Sequence, residues 1–193
     1  STVKVTGEAC SRIQEGSGFF VGPDLVVTNA HVVAGESGTE VELADGRTLD
    51  AIVVAFDPER DLAVLRTDGE APALSLRDAD TGDVGGVFGH PGGGGLEVSP
   101  FRVAEEITAV GRDIYDQGST SRDVLVLASD LAPGDSGSAL VDPQGQVIGV
   151  AFDDGLQRLA SDPAEAVDAD AGHGWLLMRS PRECAHARGR GHG

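Results

Sequence analysis

Short runs of mostly β-branched apolar residues, alternating with polar ones or standing in threes and fours, recur along the chain, and turn-forming residues stop each run. In the first half they cover 17–21, 25–28, 40–43, 48–55 and 62–66; in the second, 86–88, 101–110, 124–128, 138–141, 146–152 and 175–178. Gly22-Pro23-Asp24 and Asp45-Gly46 sit where hairpins must reverse, because Pro presets φ and Gly accepts positive φ. Asp142-Pro143-Gln144-Gly145 places Pro second and Gly fourth, as a type I turn prefers. Long segments with 3.6-residue periodicity are missing, so the pattern predicts an all-β fold.

The polar stretch 77–83 interrupts the pattern and splits the strands into two sets. One domain with an N-terminal unit at 12–76 and a C-terminal unit at 84–180 is expected. Residues 89–95, reading GHPGGGG, and the Asp- and Ala-rich 155–174 read as surface loops, and 182–193 as a flexible tail.

Composition narrows the partners. Acidic residues outnumber Lys plus Arg by 32 to 14, a formal net charge of -18, and Lys4 is the sole lysine. Such a surface repels phosphate, which excludes nucleic acid as an expected partner. No run approaches the roughly 20 apolar residues of a membrane span, so the segment reads as soluble. Its abrupt start at Ser1 fits a domain excised from a longer protein. Cys10 and Cys184 lie near opposite ends without a neighbouring Cys or His at metal-ligand spacing. A disulfide tying the ends is the natural reading, and two thiols in a reducing compartment the alternative.

Three segments carry chemistry. Ser136 lies in Gly134-Asp135-Ser136-Gly137-Ser138-Ala139-Leu140, a glycine-flanked loop that runs into an apolar strand. Such a loop can present a hydroxyl, and the N–H groups of Gly134 and Ser136 can converge on a developing oxyanion. An ordinary polar turn is the alternative. His31 follows an apolar strand in Thr28-Asn29-Ala30-His31-Val32-Val33, and an imidazole on a rigid support can take a serine proton. Read alone, it could equally be a buried core histidine. His90, His173, His186 and His192 have weaker settings, in glycine loops or the tail. Asp61 opens the strand Asp61-Leu62-Ala63-Val64-Leu65, where a carboxylate could orient an imidazole or simply cap the strand; Asp57, just before Pro58, competes with it.

Taken together, TNAHVV at 28–33, DLAVL at 61–65 and GDSGSAL at 134–140 resemble the three signature blocks of trypsin-like serine proteases, in the chain order His, Asp, Ser. Within that superfamily, GSGFFVGPDLVVTNAHVVAG, GHPGGG, DIY and GDSG are similar to the actinobacterial membrane-anchored acid-resistance proteases, over most of 16–152.

The resemblance implies two six-stranded antiparallel β-barrels of chymotrypsin type with the active site between them. It implies a Ser136–His31–Asp61 triad, an oxyanion hole at Gly134 and Ser136, a protein or peptide substrate, and no metal or organic cofactor. It further implies an extracytoplasmic domain active in acid stress, preceded in the family by a membrane-embedded region, with its ends joined by a disulfide that Cys10 and Cys184 would match. Asp130, six residues before Ser136, stands where enzymes cutting after Arg or Lys keep a carboxylate at the floor of the specificity pocket. Ser138 and Ala139 depart from the Gly and Pro that many relatives carry. The competing functional class is an inactive or redox-gated binding module on the same fold.

Overall fold

The computed structural model describes residues 1–9, 12–115 and 117–152. Six strands, β1 (Thr2–Ala9), β2 (Arg12–Gly22), β3 (Leu25–Thr28), β4 (Thr39–Leu43), β5 (Thr48–Asp57) and β6 (Leu62–Thr67), close into a barrel in the order β1-β2-β3-β6-β5-β4. Every pairing in it is antiparallel. Five more, β7 (Val84–Gly89), β8 (Glu97–Arg112), β9 (Ser119–Ala128), β10 (Ala139–Val141) and β11 (Val147–Val150), form a curled half-barrel in the order β11-β10-β7-β8-β9.

The all-β expectation holds, with one closed six-stranded barrel and five strands in the second sheet among the described residues. The expected strand at 175–178, the loop at 155–174 and the tail at 182–193 lie outside the described residues. The first barrel also begins earlier than residue 12. Strand β1 pairs with β2 on one side and β4 on the other, so it closes the barrel. It buries Val3 and Val5 while Lys4 and Thr6 face outward, the period-2 alternation of a half-buried strand.

Burial follows the same alternation. Val3, Val5, Phe20, Val26, Val41 and Leu65 fill the first barrel, and Val87, Phe101, Val103, Leu140 and Ile148 line the second sheet. A third cluster joins the two, with Phe19 of β2 against Ala139, Val141 and Val147, and with Val27 and Phe88 packed beside them. Fully burying each such side chain contributes roughly 1.5–3 kcal/mol, so the contact between the units is a hydrophobic joint. The polar link at 77–83 is pinned as well. Arg77 donates through Nε to Asp142 Oδ2 at 2.7 Å and through Nη1 to Asp83 Oδ2 at 2.8 Å. These bonds hold both carboxyls below the usual carboxylate range.

A short helix, α1 (Ala30–Val33), leaves the end of β3 with Ala30, Val32 and Val33 buried. Gln14 Nε2 on β2 donates to the carbonyls of Val32 and Ala34 at 3.2 and 3.3 Å, satisfying acceptors that a helix C-terminus leaves open. The chain then returns to β1 through Ser37, whose N–H donates to Glu8 O at 3.1 Å.

Glu36 lies in that return with its carboxylate flat against the backbone of Gly7, occupying the space a side chain there would need. Its Oε2 accepts from Thr39 Oγ1 at 2.5 Å, and its Oε1 is buried without a partner. Burial pushes this carboxyl up from 4.5 to about 7, against the opposing pull of the Thr39 bond. Because the folded pKa exceeds the unfolded one, the folded state holds the extra proton between these values, and that contribution is lost as pH rises through about 7. Glu36→Gln should therefore stabilise the protein at pH 8 by about 1–2 kcal/mol, after discounting for the partial exposure of the residue. The gain should shrink toward zero near pH 4. Thermal melts of both proteins at the two pH values check this, and an equal difference at both would contradict it.

Candidate active site

The barrel architecture delivers His31 and Asp61 to each other. β3 and β6 are hydrogen-bonded neighbours with Thr28 opposite Ala63, so α1 leaves β3 beside the turn where Asp61 enters β6. His31 meets Asp61 twice. Its backbone N–H donates to Oδ1 at 2.9 Å, and its ring Nδ1 lies 2.7 Å from Oδ2. With both oxygens engaged, the carboxylate fixes ring position and tautomer together: Nδ1 carries the proton and Nε2 is left as the acceptor.

Asp61 is 5 % exposed and has φ 56, the left-handed region that non-glycine residues rarely occupy. Surrounding bonds enforce that conformation. Asn29 Nδ2 donates to the Asp61 carbonyl at 2.8 Å. From the other unit, the tip of the β8–β9 hairpin braces the preceding turn. Arg122 Nε and Thr120 Oγ1 donate to Glu59 O at 2.6 and 3.2 Å, Ile114 N–H to Pro58 O at 3.4 Å, and Tyr115 packs on Phe56 with ring centroids 6.5 Å apart. Strain of about 1–3 kcal/mol at one residue persists only where neighbours over-determine it, as here.

The competing Asp57 is spent on the same turn. Its carboxylate accepts from the N–H groups of Glu59 and Arg60 and from Arg60 Nη1, at 3.0, 2.9 and 2.8 Å, which lowers its pKa. None of those bonds reaches His31.

Ser136 arrives from the second sheet, in the loop that leads into β10, and is 8 % exposed. Its carbonyl accepts from Ser17 N–H at 2.7 Å. A side chain at Gly16 would lie 2.7 Å from the Val32 methyls and 3.1 Å from Ser136 O, so the residue after His31 and the backbone of Ser136 meet at one point on β2. Glycine at 16 is what lets the two approach. Among the described residues the Ser136 hydroxyl makes no hydrogen bond, and neither do the N–H groups of Gly134 and Ser136.

Gly134 has φ +101, and its Cα packs against the His90–Gly92 backbone, where a side chain would collide. Asp135 turns away from the solvent. Its Oδ2 accepts from Ala132 N–H at 2.9 Å, and burial raises its carboxyl pKa. Asp130 is exposed. His90 is buried, with Nδ1 3.1 Å from Gly94 O. His173, His186, His192, Cys10 and Cys184 lie outside the described residues, as does all that follows Phe152. Among the described residues no three His, Cys, Asp or Glu side chains are grouped to hold a metal ion, and no helix is long and apolar enough to cross a membrane.

Two positioning residues escape a reading of the sequence. Asn29 and Ser17 sit inside the recognisable TNAHVV and GSGFF stretches, yet their partners become visible only in three dimensions.

Comparison with known proteins agrees with this geometry. Residues 16–150 match the trypsin-like peptidase domain. Serine protease Rv3671c of Mycobacterium tuberculosis is 41 % identical over 158 residues, covering 79 % of this chain and 40 % of its own length. The crystal structure of the Rv3671c protease in its active form superposes with a TM-score of 0.77 at 35 % identity, over 92 % of this chain and 86 % of that one. A probable periplasmic serine endoprotease, DegP-like, of Halomonas elongata is 35 % identical over 151 residues, covering 75 % of this chain and 30 % of its own. The chain thus spans about two fifths or less of the length of these curated relatives. A closed barrel facing a half-barrel, the His–Asp–Ser blocks in order and a family match over 16–150 lead to one assignment: the chain belongs to the trypsin-like peptidase family of serine proteases.

Proposed function

We propose that the chain is a serine endopeptidase in which Ser136 attacks a peptide carbonyl. His31 takes the hydroxyl proton on Nε2 and returns it to the leaving amine, and water then releases the acyl group by the same route. Asp61 orients the ring and stabilises the imidazolium formed at each step. The N–H groups of Gly134 and Ser136 stabilise the oxyanion. The observation that carries this reading is the pair of hydrogen bonds between His31 and Asp61, at 2.9 and 2.7 Å, in a chain whose Ser136 backbone is held on the neighbouring strand. No step calls for a metal or organic cofactor.

An extracytoplasmic location is part of this proposal, supported by likeness to a probable periplasmic endoprotease, while a role in acid stress rests on the sequence resemblance alone. On this reading Cys10 and Cys184 form a disulfide, which a non-reducing peptide map joining the two would verify. Asp130 is proposed to favour Arg or Lys at the bond cleaved. The unbonded Ser136 hydroxyl favours one second reading, a binding module whose triad is gated.

Digestion of an unfolded protein separates the two. An active endopeptidase releases internal fragments, and more rapidly from peptides with Arg than with Leu before the scissile bond. No fragments at all would favour the binding module, whereas equal rates for the two peptides would remove only the role of Asp130.

A further inference from the structure

Ser17 is fully buried on β2 and all three of its polar atoms are engaged. Its carbonyl accepts from Thr28 Oγ1 at 2.7 Å, a bond within the first barrel. The other two reach the loop that carries the nucleophile: N–H donates to Ser136 O at 2.7 Å and Oγ donates to Gly134 O at 2.7 Å. The same oxygen accepts from His90 N–H at 2.9 Å, so the hydroxyl both donates, to a carbonyl that can only accept, and accepts. Two residues on, Gly92 N–H donates to Pro133 O at 2.6 Å.

These bonds determine where the loop's N–H groups point. In a trans peptide the C=O and N–H of one unit face opposite ways. The carbonyl of Pro133 shares its unit with Gly134 N–H, so the bond from Gly92 turns that N–H away from the His90–Gly92 loop. The next unit carries Gly134 O, and the Ser17 hydroxyl holds it. Between the units stands a glycine at φ +101, a residue with almost no conformational preference of its own. The second unit is also held within the loop, Asp135 N–H donating to Ala132 O at 3.0 Å, and the Ser17 hydroxyl is what ties it to the first barrel.

We propose that Ser17 is a positioning residue for the oxyanion hole. Its hydroxyl, which touches no reacting atom, ties the first barrel to Gly134 O and keeps the Gly134 N–H aimed at the substrate oxygen. This rests on the assignment of Gly134 and Ser136 N–H as oxyanion donors.

Loss of a donor itself typically costs 10²–10³ in kcat. Ser17 acts one bond removed, so Ser17→Ala should lower kcat/KM by about 10- to 100-fold, chiefly through kcat. Affinity for a peptide aldehyde, whose hemiacetal oxygen occupies the hole, should fall by the same factor. Binding of the matching peptide alcohol, which forms no oxyanion, should stay within about threefold. Ser17→Cys, near in size and a weak donor, should fall between wild type and alanine. Thr67→Val removes another buried hydroxyl of the first barrel, one that bonds Asp24 O and Gly69 O and not the loop; it should lower the melting temperature comparably while leaving the aldehyde-to-alcohol affinity ratio as in wild type.

Measured well below the melting temperature, an unchanged ratio in Ser17→Ala would overturn the proposal. So would an equal loss of that ratio in Thr67→Val. If Ser17→Ala does not fold, Ser17→Cys decides by the same ratio. A wild-type chain that neither cleaves peptides nor binds the aldehyde would instead sink the protease assignment itself.

Discussion

Replacing Ser136 by alanine should lower kcat by on the order of 10⁶-fold, with the fold and its melting temperature nearly unchanged. The kinetic loss follows from removing the only atom that bonds covalently to the acyl group; what remains is oxyanion stabilisation and binding. The small structural cost follows from the geometry. The Ser136 hydroxyl makes no hydrogen bond among the described residues, so alanine orphans no partner. The backbone bond from Ser17 N–H to Ser136 O is independent of the side chain. Peptide hydrolysis and a thermal melt on the same sample check both halves. Residual turnover within 100-fold of wild type would place the nucleophile elsewhere.

Asp61→Asn should lower kcat by about 10⁴-fold with little change in KM. Asparagine is a clean substitution here because it tolerates the left-handed conformation better than most residues, so φ 56 need not change. It keeps an oxygen to accept from His31 N–H, but it presents an NH₂ to the ring. The imidazole then accepts on Nδ1 and carries its proton on Nε2, the tautomer that cannot act as base toward Ser136. Steady-state kinetics on peptide substrates test this. A loss below tenfold would mean that His31 is oriented without Asp61. Asp57→Asn supplies the contrast, since that carboxylate serves its own turn and the variant should remain active.

What the sequence could disclose tracks the range of the interactions. Strands such as 25–28 and 62–66 follow from local apolar pattern, and their bounds in the structure differ by at most one residue. His31, Asp61 and Ser136 were legible as three blocks in chain order. β1 was not, because its strand character rests on Val3 and Val5 alone and is completed by pairing with β2 and β4.

The sequence favoured Asp61 over Asp57 through the DLAVL block and the turn setting of Asp57 before Pro58, but it could not show where either carboxylate goes. What separates them is that turn hydrogen bonds consume one carboxylate and the His31 ring takes the other. Ser17 shows the limit most sharply. It stands between two glycines in the middle of β2, and its hydroxyl partners lie 117 and 73 residues away in sequence. No periodicity or spacing rule encodes such a contact. The brace from Arg122 to Glu59, 63 residues apart, is of the same kind.

On the proposed reading the chemistry resides on three side chains, while its geometry depends on contacts made by the backbone and by residues around them: Ser17 to Gly134, Gly92 to Pro133 and the β8–β9 tip to the turn before Asp61. The shared cluster around Phe19, Ala139 and Val141 fixes the distance over which they act.

Covalent labelling tests the central claim most directly. Wild-type chain treated with a fluorophosphonate and digested for mass spectrometry should carry one adduct, on the hydroxyl of Ser136, and Ser136→Ala should carry none. An adduct on another residue, or labelling that survives in Ser136→Ala, would contradict the assignment of Ser136 as the nucleophile.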